Sequence, residues 1–354
     1  MVASYQRKRA WGLPLLAALV LGLALLSASF GTNESLRAPQ VLRVLGQELG
    51  LIRGPVNPDH ETIVLLLRLP RVALGLLAGA ALAMAGAALQ GLFRNPLADP
   101  ALIGVSSGAA VGAVAMIVLG GAAVSEAPAG WAAFALPVAA LAGGLIITVI
   151  IYQLAKVEGR THLTLMLLTG LALNALAGAG IGLMIFRSTD EQLRELIFWS
   201  LGSLRLRALW PEIGVAALLA LPGMLILPWL ARPLNALLLG EAEAFHLGVP
   251  VQQVKRLLIF LSALMVGATV AVCGTIGFVG LMAPHLARLL FGPDHRVLLP
   301  ASALIGAALL LAADIAARLG GTGGEELPIG VVTALAGAPI FLALLLRARR
   351  TGGF

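Results

Sequence analysis

Charged residues are scarce in this chain of 354 residues. They make up 12% of the sequence, whereas hydrophobic residues make up 59%. An average soluble protein is roughly 25% charged, so this chain has too little polar surface to cover a soluble core and its apolar runs must face lipid. The runs are continuous rather than alternating, which favours helices over a β-barrel. The sequence therefore predicts an all-α membrane protein.

Lysine is nearly absent, occurring only as Lys8, Lys156 and Lys255, and none of the three follows a glycine. A phosphate-binding loop of the form GxxxxGKS/T needs a lysine in that position to reach the outer phosphates of ATP. The chain therefore cannot hydrolyse ATP by this route, and we expect no catalytic residue in it. If ATP drives its activity, the ATPase is another polypeptide.

Metal ligands are also few. Cys273 is the only cysteine, which excludes an intrachain disulfide and a thiolate cluster. The five histidines show neither an i, i+4 pair nor an HExxH motif. We therefore expect no metal site and no cofactor.

Ionisable groups inside the apolar runs usually mark ion routes, and Asp314 is the one clear case. This scarcity weighs against an ion-driven transporter. Arg318 follows Asp314 by one helical turn and is suited to neutralise it. Asp314 thus has two interpretations, a structural ion pair or a functional carboxylate.

The apolar runs predict ten membrane helices in a single transmembrane domain covering residues 1–354. The first follows a basic flank and is long enough to span, so we interpret it as an uncleaved helix rather than a signal peptide. Glycines such as Gly274 and Gly277 interrupt the apolar stretch 257–291 and predict a break there. The predicted segments are 11–30, 63–90, 101–120, 131–152, 163–186, 213–231, 257–273, 276–291, 297–316 and 329–346.

Charge predicts the orientation. A cytoplasmic N-terminus places 14 of the 24 lysines and arginines on the inner side, as the positive-inside rule requires, and ten spans return the C-terminus to the cytoplasm. Residues 31–62 then form an outer loop, and 190–202 an outer amphipathic segment. Residues 232–256 form an inner region that reads as two short helices, with Gly248 and Pro250 as stop signals.

Three arginines lie at predicted outer helix ends: Arg68, Arg71 and Arg318. Arginines at such positions commonly extend toward lipid headgroups. A planar guanidinium also suits bidentate pairing with carboxylates of a soluble partner. The residues alone leave both interpretations open.

Several blocks occur together in the order typical of one family. They are Arg68-Leu69-Pro70-Arg71, Gly79-Ala80-Ala81-Leu82, residues 90–100, residues 102–109, Gly240-Glu241-Ala242 to Leu247-Gly248, residues 277–281 with Pro284-His285, Asp294-His295-Arg296, and residues 326–330 with Gly337-Ala338-Pro339. This pattern resembles the permeases of ATP-binding-cassette (ABC) importers for iron-siderophore, haem and cobalamin, and it extends over most of the chain.

The resemblance implies a multi-pass subunit of the bacterial inner membrane that works as a homodimer in lipid. Its expected partners are two ATPase subunits on the cytoplasmic side and a periplasmic binding protein, with no nucleic acid. The implied roles are binding-protein docking by Arg68, Arg71 and Arg318; ATPase coupling by Gly240, Glu241, Ala242, Leu247 and Gly248; a cytoplasmic gate at Asn95 and Leu97; and a translocation path at Asn174, Gly178 and Gly182.

The substrate is suggested by two tracts, residues 93–100 and 190–204, which are most similar to the haem-transporting branch. We therefore favour haem, followed by ferric siderophore and then cobalamin. From another class, an ion-gradient-driven transporter remains the alternative. The chain departs from the family pattern in the glycine-rich stretch 320–325 beside Arg318.

Overall fold

The computed structural model describes residues 2–30, 36–52, 57–121, 132–204, 209–321 and 325–350. Parts of the predicted outer loop, and residues 322–324 of the glycine-rich stretch, lie outside these ranges. All statements below concern the described residues.

The described chain is almost entirely helical. Its α-helices are α1 (Val2–Ser29), α2 (Ala38–Glu48), α3 (Pro58–Thr62), α4 (Leu69–Leu92), α5 (Val105–Leu119), α6 (Ala132–Leu154), α7 (Leu163–Phe186), α8 (Asp190–Ser200), α9 (Trp210–Ile226), α10 (Ala231–Leu239), α11 (Glu241–His246), α12 (Val251–Cys273), α13 (Val279–Phe291), α14 (His295–Leu319) and α15 (Ile329–Arg350). A π-helical segment, Ile63–Arg68, joins α3 to α4, and 3-10 turns occupy Pro100–Ile103 and Leu227–Leu230. Strands β1 (Lys156–Val157) and β2 (Arg160–Thr161) form an antiparallel hairpin between α6 and α7.

The predicted membrane helices are present. Within the described ranges, seven helices are long and apolar enough to cross a bilayer, and three shorter apolar helices are Val105–Leu119, Val279–Phe291 and Ile329–Ala343. Together they correspond to the ten predicted segments, which confirms an all-α membrane protein of about ten membrane helices. The orientation of the two termini stays a prediction.

Helix α4 lies at the centre of the bundle. Most of its side chains are buried, and it packs against α12, α13 and α14. The backbones of α4 and α14 approach closely at Gly79 and Gly306. A Cβ on either glycine would collide with the backbone carbonyl oxygen of the other. Small residues permit such close approach where lipid removes the hydrophobic drive for association. The glycine and alanine content of the sequence is thus used for helix packing.

The second apolar segment begins earlier than predicted, because a helical run covers Pro58–Leu92. Pro70 lies in its interior and has no N–H to donate, which normally breaks a helix. The preceding π-helical turns shift the hydrogen bonds to i, i+5, as in the bond from Leu69 N to Val64 O. The carbonyl oxygen of Leu65 instead accepts from Trp210 Nε1 at 3.1 Å. A side chain of α9 therefore replaces the donor that proline removes.

Three further predicted segments can be compared with the structure. The predicted inner region 232–256 is continuous with its neighbours: α10 begins at Ala231 and the last six residues are the first turns of α12. The predicted break is confirmed, since α12 ends before Gly274, whose φ is 70°, and Phe278 has φ 67°. The segment 190–202, predicted to be an outer amphipathic segment, contains α8, whose N-cap Thr189 accepts from Gln192 N.

Candidate functional site

One end of the bundle carries an ion network around Arg71. The guanidinium donates from Nε and Nη2 to Asp314 Oδ1 at 2.9 and 2.7 Å. It also donates from Nη1 and Nη2 to Glu326 Oε1 and Oε2 at 3.0 and 2.7 Å. Arg71 thus joins α4 to α14 and to the segment that precedes α15. Its side chain is only 11% exposed, so these ion pairs are largely shielded from water.

Arg318 completes this network and attaches it to α1. It pairs with Asp314, as the structural interpretation of that carboxylate predicts. It also donates to the carbonyl oxygens of Ser27 and Phe30 at 2.8 and 2.7 Å. Arg68 is buried and donates from Nη1 to the carbonyl oxygens of Ala28 and Ser29, both at 2.8 Å. The last carbonyl groups of α1 are therefore satisfied by arginines of α4's N-terminal flank and α14.

The structure brings the three predicted docking arginines together, and each has partners within the chain. Sequence reasoning did not identify Glu326 as one of these partners. The available signal was its position, an acidic residue directly before Leu327-Pro328 at the start of the last apolar segment. A cavity of about 190 Å³ lies beside this network, lined in part by Phe198, Leu204 and Ile329.

The predicted coupling residues surround α11. Gly240 separates α10 from α11 with φ 131° and ψ 158°, a conformation available essentially only to glycine. Within α11, Ala244 is buried and Phe245 is 70% exposed, and the flanking Leu239 and Leu247 are 66% and 65% exposed. Exposed apolar side chains next to a short polar helix are typical of protein contact surfaces. Gly248, with φ 81°, ends α11.

A buried lysine lies behind this surface. Lys255 of α12 is 1% exposed, and its Nζ lies 2.5 Å from Glu241 Oε1. The same Nζ donates to the carbonyl oxygen of Thr161, at the end of β2, at 2.7 Å. Lys255 therefore connects α11 to the hairpin that precedes α7.

The predicted gate residues lie in the loop after α4. Asn95 is exposed, and its Oδ1 accepts from Leu97 N at 2.9 Å, which holds a local turn. Asp99 Oδ1 accepts from Ala101 N at 2.8 Å and caps the turn Pro100–Ile103. Burial raises the pKa of the Asp99 carboxyl above its ordinary value, and the hydrogen bond from Ala101 N offsets part of that effect.

The predicted path residues lie on α7. Asn174 Oδ1 accepts from Ser107 Oγ of α5 at 2.5 Å, so its amide side chain faces the neighbouring helix. Gly178 and Gly182 are exposed, and a Cβ on either would meet no atom within 4 Å. They leave one face of α7 open.

No cluster of three or more histidine, cysteine or carboxylate side chains that suits a metal occurs among the described residues. A bundle of about ten apolar helices, with polar networks and loops at its ends, defines a multi-pass membrane protein. The chain belongs to the FecCD transport family, whose profile matches residues 18–347. It is the permease subunit of a bacterial ABC importer and is not itself catalytic; such permeases work with ATPase and binding-protein partners.

Several known proteins are similar to this chain. The hemin transport system permease protein HmuU of Yersinia pestis is 48% identical over 81% of this chain and 84% of its own length. The vitamin B12 import system permease protein BtuC of Escherichia coli is 45% identical over 83% and 86%. The cobalamin import permease BtuC of Halobacterium salinarum is also 45% identical, over 82% and 75%. A solved structure of an ABC transporter assigned to the metal-chelate type, in an inward-facing conformation, has TM-score 0.80 and 32% identity over 95% of this chain and 98% of its own.

Proposed function

We propose that this chain carries haem, or a related iron chelate, from the periplasm to the cytoplasm, powered by a separate ATPase. The observation that carries the proposal is the 48% identity to a hemin permease over most of both chains. The tracts 93–100 and 190–204, which resemble the haem-transporting branch, agree with this choice.

The chemistry of the bundle is consistent with a large ligand. A bulky cargo needs a wide path with little charge, so that it binds weakly enough to leave. Helix α7 offers such a surface, because Gly178 and Gly182 leave one face open and Asn174 is its polar contact to α5. We propose that this face lines the path near the axis of a homodimer.

Cobalamin is the second candidate, supported by two cobalamin permeases at 45% identity. Ferric siderophore is the third, in line with a solved relative of the metal-chelate type. Membership in an ABC importer family removes the ion-gradient-driven alternative from consideration.

The residues at the two ends of the bundle support a binding place for each partner. We propose that two ATPase subunits receive Gly240, Glu241, Ala242, Leu247 and Gly248, with Phe245 adding exposed apolar area to the contact. The loop with Asn95 and Leu97 would then act as a gate on the same, cytoplasmic side. Both termini lie on that side in this proposal.

A periplasmic binding protein would dock at the opposite end, on Arg68, Arg71 and Arg318. Arg71 already pairs with Asp314 and Glu326. An acidic side chain of the binding protein would therefore have to compete with Glu326 for Arg71, and the cavity beside the network gives it an approach. Docking by this exchange depends on ionic strength, since it replaces one charge pair by another.

The test is ligand uptake by the complete complex in liposomes. The permease is co-expressed with its ATPase, and haem, cobalamin and a ferric siderophore are each presented on a matching binding protein. We expect ATP-dependent uptake of haem and none with an ATPase partner unable to hydrolyse ATP. Uptake of cobalamin alone, or of siderophore alone, would show that this ligand and not haem is the substrate. The absence of ATP-dependent uptake with all three ligands would overturn the proposed transport function.

A further inference from the structure

Lys255 is a buried cation with two partners on different segments. A buried ammonium is costly unless paired and hydrogen-bonded. Here Glu241 of α11 supplies the opposite charge at 2.5 Å, and the carbonyl oxygen of Thr161 accepts a hydrogen bond at 2.7 Å. Since Lys255 itself is on α12, a single side chain holds three parts of the chain together.

The hairpin is held by a second side chain of α12. Gln252 Oε1 accepts from the backbone N–H of Thr161 at 2.9 Å. Both backbone polar groups of Thr161 are thus bound to α12, one turn apart, and Thr161 is 3% exposed. The hairpin is closed by the bond from His162 N to Ala155 O at 3.0 Å. It cannot shift relative to α12 without breaking these bonds.

Thr161 lies two residues before α7 begins at Leu163. Helix α7 is otherwise loosely packed: only 11% of its most apolar 18-residue stretch is buried within the chain. The bonds at Thr161 therefore fix the start of α7 together with the packing of Met166, which is fully buried in its first turn. A movement of α11 has a direct polar route to that start through Glu241, Lys255 and Thr161.

We propose that Lys255 is a positioning residue that transmits displacement of α11 by the ATPase to the path-lining helix α7. This rests on the proposed function, since it takes α11 as the ATPase contact and α7 as part of the path. Lys255 touches neither ATPase nor ligand. It acts by staying bound to both Glu241 and Thr161 as α11 moves, so that the hairpin moves with α11.

The variants are chosen to keep the volume of each side chain. Lys255→Met keeps the apolar stem and removes the ammonium, and Glu241→Gln keeps the shape and removes the charge. Lys255→Arg is the conservative variant, because a guanidinium can still reach two acceptors. Lys156→Met and Arg256→Gln are the matched controls, since both remove exposed cations from the same hairpin and helix.

The first readout is ligand taken up per ATP hydrolysed, measured with whichever of haem, cobalamin or ferric siderophore the wild-type complex transports. We expect a fall of about tenfold in Lys255→Met, partial recovery in Lys255→Arg and no change in the two controls. Lys255→Met with Glu241→Gln should be no worse than the more impaired single variant, because both break one connection. Wild-type ratios in Lys255→Met, or additive losses in the double variant, would overturn the proposal.

The second readout needs no ligand. A spin label at Leu168→Cys, an exposed position on α7, is placed in a Cys273→Ala background, and its spectrum is recorded with and without a non-hydrolysable ATP analogue. We expect a nucleotide response in wild type and Lys156→Met, and its loss in Lys255→Met. If Lys255→Met fails to assemble, Lys255→Gln gives the same comparison, because it also removes the ammonium group and leaves the exposed contact residue Glu241 unchanged. An undiminished response refutes the role of Lys255, whereas a complex that responds to nucleotide but transports none of the three ligands refutes only the proposed function.

Discussion

Arg71 Nη2 lies 2.7 Å from Asp314 Oδ1, and this contact joins α4 to α14. The two residues are 243 positions apart in the sequence. Asp314 is almost fully buried, and Arg71 and Arg318 both donate to it. The carboxylate that looked most like an ion-route residue is therefore an internal counter-ion. The same pairing restricts how far Arg71 is available to a docking partner.

Replacing Arg71 by Gln should destabilise the permease by about 3 kcal/mol, because it leaves Asp314 and Glu326 with less compensation in a largely buried site. The measurement is thermal unfolding of the detergent-purified protein. Arg43→Gln, which removes an exposed charge from α2, is the control and should leave the transition in place. Equal transitions for wild type and Arg71→Gln would show that the network contributes nothing to stability.

Replacing Glu326 by Gln separates the structural role of Arg71 from its proposed docking role. The change removes one of the two carboxylates that pair with Arg71 and leaves the other, Asp314, in place. Arg71 therefore becomes more available to an acidic partner. We expect binding-protein affinity to rise several-fold at low salt and less at high salt. Unchanged or weaker affinity, measured by surface plasmon resonance on the complex in nanodiscs, would remove Arg71 from the docking surface.

Replacing Gly240 by Ala should disturb the junction of α10 and α11. A Cβ at φ 131° is strained and would also collide with the carboxylate of Glu243. Strain in this region costs of order 1–3 kcal/mol, so α11 should shift and ATPase assembly should weaken. Gly50→Ala is the matched comparison, since φ is 69° there, a Cβ would meet no atom within 4 Å and the residue lies outside the coupling surface. Co-purification of the ATPase measures both, and equal retention in the two variants would contradict the assignment.

Replacing Gly79 by Ala should force α4 and α14 apart, because the added methyl group meets the backbone of Gly306 and Ala307. Overpacking of this kind costs about 1–3 kcal/mol. Gly22→Ala on α1 adds the same methyl group where no atom lies within 4 Å and should be tolerated. Thermal unfolding of the two variants side by side decides whether this glycine contact is required.

Asp99 predicts a pH dependence of stability with a defined sign. Its pKa is raised in the folded protein by burial, so the folded state binds more protons than the unfolded state between the two pKa values. The free energy of unfolding should therefore fall as pH rises from the ordinary carboxyl pKa to the raised one, and then level off. Asp99→Asn keeps an acceptor for Ala101 N and should flatten this part of the profile. Exposed Asp59→Asn is the control; a profile unchanged by Asp99→Asn would contradict the prediction.

The sequence by itself determined the membrane helices and their approximate bounds. Hydrophobicity over about 20 residues, stop signals such as Gly248 and the interruption at Gly274 are local properties, so they can be read without knowing which helices pack together. Family blocks then predicted which residues belong to functional surfaces.

Only the tertiary structure decided which side chains pair with each other within the chain. The pairs Arg71 with Glu326 and Lys255 with Thr161 are 255 and 94 residues apart, and no periodicity in the sequence predicts them. The partners of Arg68, Arg71 and Arg318 could not be predicted for the same reason, since a guanidinium can bind lipid headgroups, carboxylates or backbone carbonyls. The physical cause is that ion pairs in a helical membrane protein depend on which helix faces meet, and that is set by close packing at contacts such as Gly79 with Gly306 rather than by local hydrophobicity.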